Sequence, residues 1–287
     1  MAGVNNSHVY AEEWAIKLQE QLDEPNKFKE ICRVEYTNSR VIHNPYLTDA
    51  TVQTGLRGTN YTFQPVTETD DSVTINTFNI LPQFIDRADL AQSTFLKQME
   101  AAERQGILLN EAIETAVYAG HSSFTDFGTV SIGGGGAATD TITVSGTNID
   151  DIVRAVRREV LEANGASLLQ RNGLFFVWRP ADFEYLEAFA QANGFTLSDE
   201  ALRNGLTGGV NLMGATHYTS NLLATNHVMA GVKKAPYVGI LKDTYGQIMV
   251  DEKDPTGISG ISVVSRVDFK EKIWNKMVPV VFDVNVA

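Results

Sequence analysis

Between Asp86 and Gly120, apolar or small residues recur in steps of three and four: Ala88, Ala91, Phe95, Met99, Ala102, Gly106, Leu109, Ile113 and Ala116. On a helix those steps form one stripe. Gln92, Lys97, Glu100, Glu103, Arg104, Glu111 and Glu114 fall on the other side, which reads as a solvated face. Asp86 is placed to cap the amino end, and Asp89 sits in the first turn, where the helix dipole favours negative charge. Gly120 supplies a left-handed stop. At 1.5 Å per residue the rod would be roughly 50 Å long. No other stretch predicts so long a helix, and it reads as a spine.

Residues 7–22 predict a short amphipathic helix, with Tyr10, Trp14, Leu18 and Leu22 at successive steps of four and Glu12, Glu13, Lys17 and Glu20 elsewhere. Pro25 ends it. A lone helix of that length is marginal in water and needs a partner surface. From Arg40 to Leu81 the chain turns threonine-rich. Val73 and Ile75 alternate with Thr74 and Asn76 on an outgoing strand, and Asp70-Asp71 predict a turn before it. The incoming side, Thr48 to Phe63, alternates more weakly. The segment reads as a long two-stranded projection with too few large apolar side chains for a core of its own. Such a hairpin is barely stable alone. Its Tyr61, Phe63, Val73 and Ile75, with Tyr10, Trp14, Leu18 and Leu22 of the first helix, are the candidate inter-subunit contacts.

Beyond the spine, residues 121–148 are loose, with Gly133 to Gly136 as a flexible run and TDTITVSG as a short strand. A helix is expected from Ile149 to Ala163, capped by Asn148 or Asp150, with Ile152, Val153, Val156 and Val160 inward. GLFFVWRP, residues 173–180, is a continuous apolar run bounded by Gly and Pro, the pattern of a buried central strand. A helix through Phe183, Leu186, Phe189 and Ala190 follows, then a Gly-rich, weakly strand-like stretch from Leu206 to Leu223. Ile261 and Val263, then Val278, Val280, Phe282, Val284 and Val286, alternate toward a closing strand. The whole is α+β.

With 287 residues, 43% of them hydrophobic, the chain can bury a real core and form two or three subdomains. It contains no run of 18 apolar residues, so no membrane span is expected, and MAGVNNSHVY has the character of neither a basic nor an apolar leader. The single cysteine, Cys32, allows no intramolecular disulfide and no zinc site of several thiolates, which suits a reducing cell or a particle assembled in one. A net charge of −12 opposes a nucleic-acid-gripping surface, which needs clustered Lys and Arg. Neither glycine run is followed by the lysine of a phosphate loop. His8, His43, His121, His217 and His227 fall in no metal-binding spacing, although His217 and His227 could approach as a hydrogen-bonded pair. No catalytic residue, cofactor or metal is assigned, and the chain is read as non-enzymatic.

The order of parts carries more than any motif. A terminal helical arm, a long hairpin, a spine reached through ILPQFIDRADLAQS, a Gly-rich domain and a β-rich tail follow one another. Asp71-Ser72-Val73-Thr74-Ile75 leads to Asp89-Leu90-Ala91-Gln92, Asn172 to Val177 then Pro180 makes a strand and helix, and Leu212 to Asn221 a small-residue strand. From about residue 7 to 286 this ordered set resembles the major capsid proteins of tailed bacteriophages, a shell fold shared with encapsulins and the herpesvirus capsid floor. The resemblance implies an arm over residues 1–37, an extended hairpin over 38–82, a peripheral domain from 83–121 and 223–287, and an axial domain over 122–222.

It also implies self-assembly into hexamers and pentamers of an icosahedral shell, with hairpin and arm completed by neighbours and the shell expanding as double-stranded DNA enters. Expected partners are a separate scaffolding protein, a portal protein at one vertex and a decoration or cement protein, with the DNA packaged rather than bound specifically. The location would be the virion, assembled in the host cytoplasm. Met1 close to the arm leads to the expectation that no fused scaffold is cleaved from the coat. No lysine lies between Arg40 and Leu81, so the lysine–asparagine cross-link of some relatives cannot arise from this hairpin. The alternative is an encapsulin-like compartment shell around a cargo enzyme.

Overall fold

The computed structural model describes residues 26–58, 60–86, 97–120, 124–127, 141–192, 210–244, 248–253 and 259–286. The expected helix over 7–22 and the Gly133–Gly136 run lie outside these residues. The chain begins with a four-residue helix α1 (Phe28–Ile31) and strand β1 (Arg33–Thr37). The hairpin strands follow: β2 (Val41–His43), β3 (Tyr46–Leu47), β4 (Glu68–Thr69) and β5 (Ser72–Thr74). Then come β6 (Thr77–Asp86), the long helix α2 (Lys97–Ala119) and β7 (Thr125–Phe127). Two helices, α3 (Ile149–Glu162) and α4 (Ala166–Asn172), precede β8 (Leu174–Trp178) and α5 (Pro180–Ala192). The remainder is β9 (Val210–Leu212), β10 (Ala215–Thr219), β11 (His227–Val232), β12 (Pro236–Leu241), β13 (Ile248–Lys253), β14 (Ser259–Ile273) and β15 (Val281–Asn285).

Two sheets carry the molecule. In the first, β1 lies parallel to β12, β12 and β13 lie antiparallel along one side of β14, and β6 lies antiparallel along its other side. The second runs β7-β15-β11-β8-β10-β9, with β8 near its middle. All five residues of β8 are buried, as its continuous apolar run predicts. Phe176, Trp178 and His217 stack, with ring centroids 5.2 to 6.1 Å apart. α3 lays Ile149, Ile152, Val153, Val156 and Val160 into the same core. Proline at the first position of α5 costs no hydrogen bond. At Gly231 in β11 a Cβ would stand 2.6 Å from the Val280 carbonyl oxygen, so only glycine lets the chain cross there.

Several expectations are corrected. Asp86 is the last residue of β6, not a helix cap, and ILPQFID, which leads toward the spine, is a strand paired with β14. Its Ile80, Pro82 and Phe84 alternate with period two, and proline is tolerated because, among the described residues, β6 has a partner on one side only. The described spine is 23 residues, about 34 Å long, and residues 87–96 are outside the description. Glu114 is not on a solvated face: it is buried, accepting the Lys27 backbone N–H at 3.0 Å and the Tyr118 hydroxyl at 2.5 Å. That contact fastens α1 to the spine. Residues 28–37, assigned to the arm, therefore belong to the body, with Phe28 and Ile31 fully buried and β1 in a sheet. The expected boundary at 222 and 223 cuts through one sheet, because β11 pairs with β8 on one side and with β15 on the other. Val278 and Val280 sit in a 3-10 turn set by Pro279, and the closing strand starts at Val281.

Candidate functional site

The hairpin is held by one continuous register. Val41 pairs with Thr74, His43 with Ser72, and Tyr46 with Thr69. The backbone bonds Ile75 N–H to Arg40 O, Asn44 N–H to Asp71 O, and Thr48 N–H to Thr67 O fit the same register without a bulge. Beyond Thr48 two glutamine side chains join the limbs. The Gln64 amide accepts the Thr51 N–H at 2.7 Å and donates to the Thr51 carbonyl at 3.0 Å. Gln53 does the same to Thr62, at 3.0 and 2.6 Å. Carried outward, this register puts the turn at Arg57-Gly58, where Gly58 has φ +89°. The turn expected at Asp70-Asp71 is thus inside the outgoing limb, because the register runs past it.

The register also sorts the distal side chains. Val52 lies opposite Phe63 and Thr54 opposite Tyr61, so Val52, Leu56, Tyr61 and Phe63 fall on one side. Tyr61 and Phe63 meet edge to face, with centroids 5.3 Å apart. The four are 91, 83, 74 and 85% exposed. Together they make a largely exposed apolar face on the distal hairpin.

The root differs. Val73 and Ile75, expected to contact a neighbour, are buried on their own chain. Val73 packs with Tyr237 and Trp274, flanked by Ile42 and Met277, and the Tyr237 and Trp274 rings lie 4.9 Å apart. Asp71 is buried beside them. One oxygen accepts Lys272 Nζ at 2.5 Å and the other the Asn275 backbone N–H at 2.8 Å. A second exposed stripe lies just beyond the root, where Phe78, Ile80, Pro82 and Phe84 alternate onto the outer face of β6. The Arg266 guanidinium covers part of Phe78, 4.8 Å from its centroid. Of the expected contacts, Tyr61 and Phe63 are solvent-facing, Val73 and Ile75 are internal, and Tyr10, Trp14, Leu18 and Leu22 lie outside the described residues. Asp71, Gln53, Gln64 and the β6 stripe were not among the expected residues. The period-two run Val52, Thr54, Leu56 and Tyr61, Phe63, Pro65 is the sequence signal that would have located the face.

Cys32, His217 and His227 are engaged within the fold. Cys32 is buried, and desolvation pushes its thiol up to about 12, so it is no nucleophile. His217 and His227 do not pair: His227 Nδ1 meets the Asp283 carboxylate at 3.0 Å, while His217 Nδ1 accepts the Trp178 indole N–H at 2.9 Å. His217 therefore carries its proton on Nε2, which donates to the Leu212 carbonyl at 3.1 Å. Among the described residues no group of three His, Cys, Asp or Glu is placed to hold a metal, and no helix is long and apolar enough to cross a membrane.

Burial lowers the His217 pKa to about 4, and the Leu212 bond only partly opposes that. Above its unfolded value near 6.5 the ring is neutral in both states. Below that the unfolded chain takes the proton first. Stability is therefore expected to fall between pH 6.5 and 4 by roughly 1.4 kcal/mol per unit from this group. Unfolding midpoints of His217→Phe should show a shallower slope over that window.

The chain matches solved structures over nearly its whole length. A chain from Mycobacterium phage Che8 superposes with a TM-score of 0.69 at 17% identity, covering 97% of this chain and 98% of that one. The capsid of an empty GTA particle gives 0.68 at 12%, covering 99% and 98%, and the capsid of Ralstonia phage GP4 gives 0.66 at 10%, covering 99% and 97%. The fold is that of phage capsid subunits. No protein-family description and no curated protein matches the sequence. The capsid fold is thus carried here by a sequence at most 17% identical to these three, and the hairpin, the spine and the two sheets are its parts.

Proposed function

We propose that the chain is the major capsid protein of a tailed double-stranded DNA phage, building hexamers and pentamers of an icosahedral shell located in the virion. The observation that carries this reading, beyond the capsid fold, is the distal hairpin. Four large apolar side chains on one face of a coreless projection have their natural cover in another copy of the chain. Burying Tyr61 and Phe63 alone contributes roughly 1.5–3 kcal/mol each. The β6 stripe of Phe78, Ile80, Pro82 and Phe84 is a second surface for such contacts. The net charge of −12 suits an inner wall that packs DNA without gripping it. Scaffolding, portal and decoration proteins are the partners this role calls for, and the segment 7–22 is proposed to dock on a neighbour.

The solved structures reported above come from phages and a GTA particle, which leaves the cargo-compartment shell as the less supported reading. Particle content separates the two. Particles purified from the native source are expected to release double-stranded DNA on disruption. Particles filled with an enzyme and free of DNA would overturn the proposal. Salt-sensitive, tight DNA binding by dissociated subunits would contradict the reading of the charge.

A further inference from the structure

We infer that Asp71 is the latch that sets the direction in which the hairpin leaves the body. The inference rests on the shell reading only for its consequence in assembly. Asp71 sits on the outgoing limb at the root, and slightly further out the Lys276 ammonium meets the other limb, 4.9 Å from the Tyr46 ring and 4.0 Å from an exposed Asp49 carboxylate oxygen. Its two carboxylate oxygens face two donors 201 and 204 residues away, Lys272 Nζ and the Asn275 N–H. Lys272 also donates to the Ser72 carbonyl at 2.5 Å, so one ammonium ties the carboxylate and the adjoining backbone together. The same ammonium lies 5.2 Å from the Trp274 ring, which holds it over the root.

The division of labour follows from the chemistry. Val73, Tyr237, Trp274 and Ile42 attach the hairpin by apolar burial, which is non-directional and tolerates sliding. The carboxylate bonds are charge-assisted and directional, so they fix the angle. Beyond the root the limbs bond to each other, through the ladder and the Gln53 and Gln64 bridges. From Val41 to Arg57 the projection spans roughly 50 Å at strand rise. A lever that long turns a small change of angle at Asp71 into a displacement of many ångströms at Tyr61 and Phe63. Asparagine cannot replace the latch, because its amide offers one acceptor where two donors converge.

The test measures direction rather than stability. The full chain, unassembled, is spin-labelled at Leu47→Cys in the ladder and at Leu161→Cys on α3; Cys32 is buried and stays unlabelled. A single narrow distance distribution is expected. Asp71→Asn should widen it at least twofold or shift its centre, whereas Val73→Ala, which loosens only the apolar contact, should leave its centre in place. If Asp71→Asn does not fold, Lys272→Met is read instead and should widen the distribution in the same way. An unchanged distribution in the folded latch variant, or equal widening by Val73→Ala, overturns the inference. Particle formation is scored separately: a parent protein that forms no shells counts against the proposed function and leaves the distance result standing.

Discussion

Replacing Tyr61 and Phe63 together by serine is expected to leave the subunit folded and to abolish closed particles. The two rings are 74 and 85% exposed, and their mutual edge contact is the only ring contact either makes among the described residues. Removing them therefore takes little from the isolated chain. In the proposed shell the same rings would be buried at each hairpin contact. The loss would be roughly 3–6 kcal/mol per contact from apolar burial alone, which at 1.4 kcal/mol per tenfold is a fall of two to four orders of magnitude in each association constant. Assembly multiplies that loss over many contacts. Circular dichroism and the unfolding midpoint should match the parent, while electron micrographs of the variant should show no closed shells. Normal shells from the double variant would remove the hairpin face from the assembly mechanism.

The second large effect lies in the body. Trp178→Ala is expected to destabilise the subunit by about 3–5 kcal/mol, the range for deleting a buried large aromatic ring. Trp178 is fully buried on β8, 5.5 Å from the Phe176 ring, and its indole N–H is the donor to His217 Nδ1. Truncation opens a cavity between the rings and leaves a buried ring nitrogen unpaired, two costs that reinforce each other. Trp178→Phe keeps most of the volume and loses the donor, so about 1–3 kcal/mol is expected. Denaturant unfolding of the three proteins measures both. A Trp178→Ala loss under 1 kcal/mol would mean the stack does not hold the second sheet together.

Legibility in the sequence tracked how local the signal was. α3, β8 and α5 were readable because strong periodicity or a bounded apolar run coincides with burial of one face or of the whole strand. β11 and β12 were not read, because HVMAGV and PYVGIL lack alternation and join through Lys233-Lys234, so neither period stands out. Asp86, expected to cap the spine, instead ends a strand, and that choice is made by β14, far along the chain. The hairpin was legible as a coreless projection. Its root was not, since the burial of Val73 and the role of Asp71 depend on Tyr237, Lys272, Trp274 and Asn275. Long-range partners leave no mark on local spacing.

The most direct measurement is an electron cryomicroscopy reconstruction of the assembled protein. The account predicts closed icosahedral particles in which Val52, Leu56, Tyr61 and Phe63 of each copy are covered by an adjacent copy. A monodisperse single chain that forms no particles under any assembly condition, or a shell in which those four side chains face solvent, would contradict it.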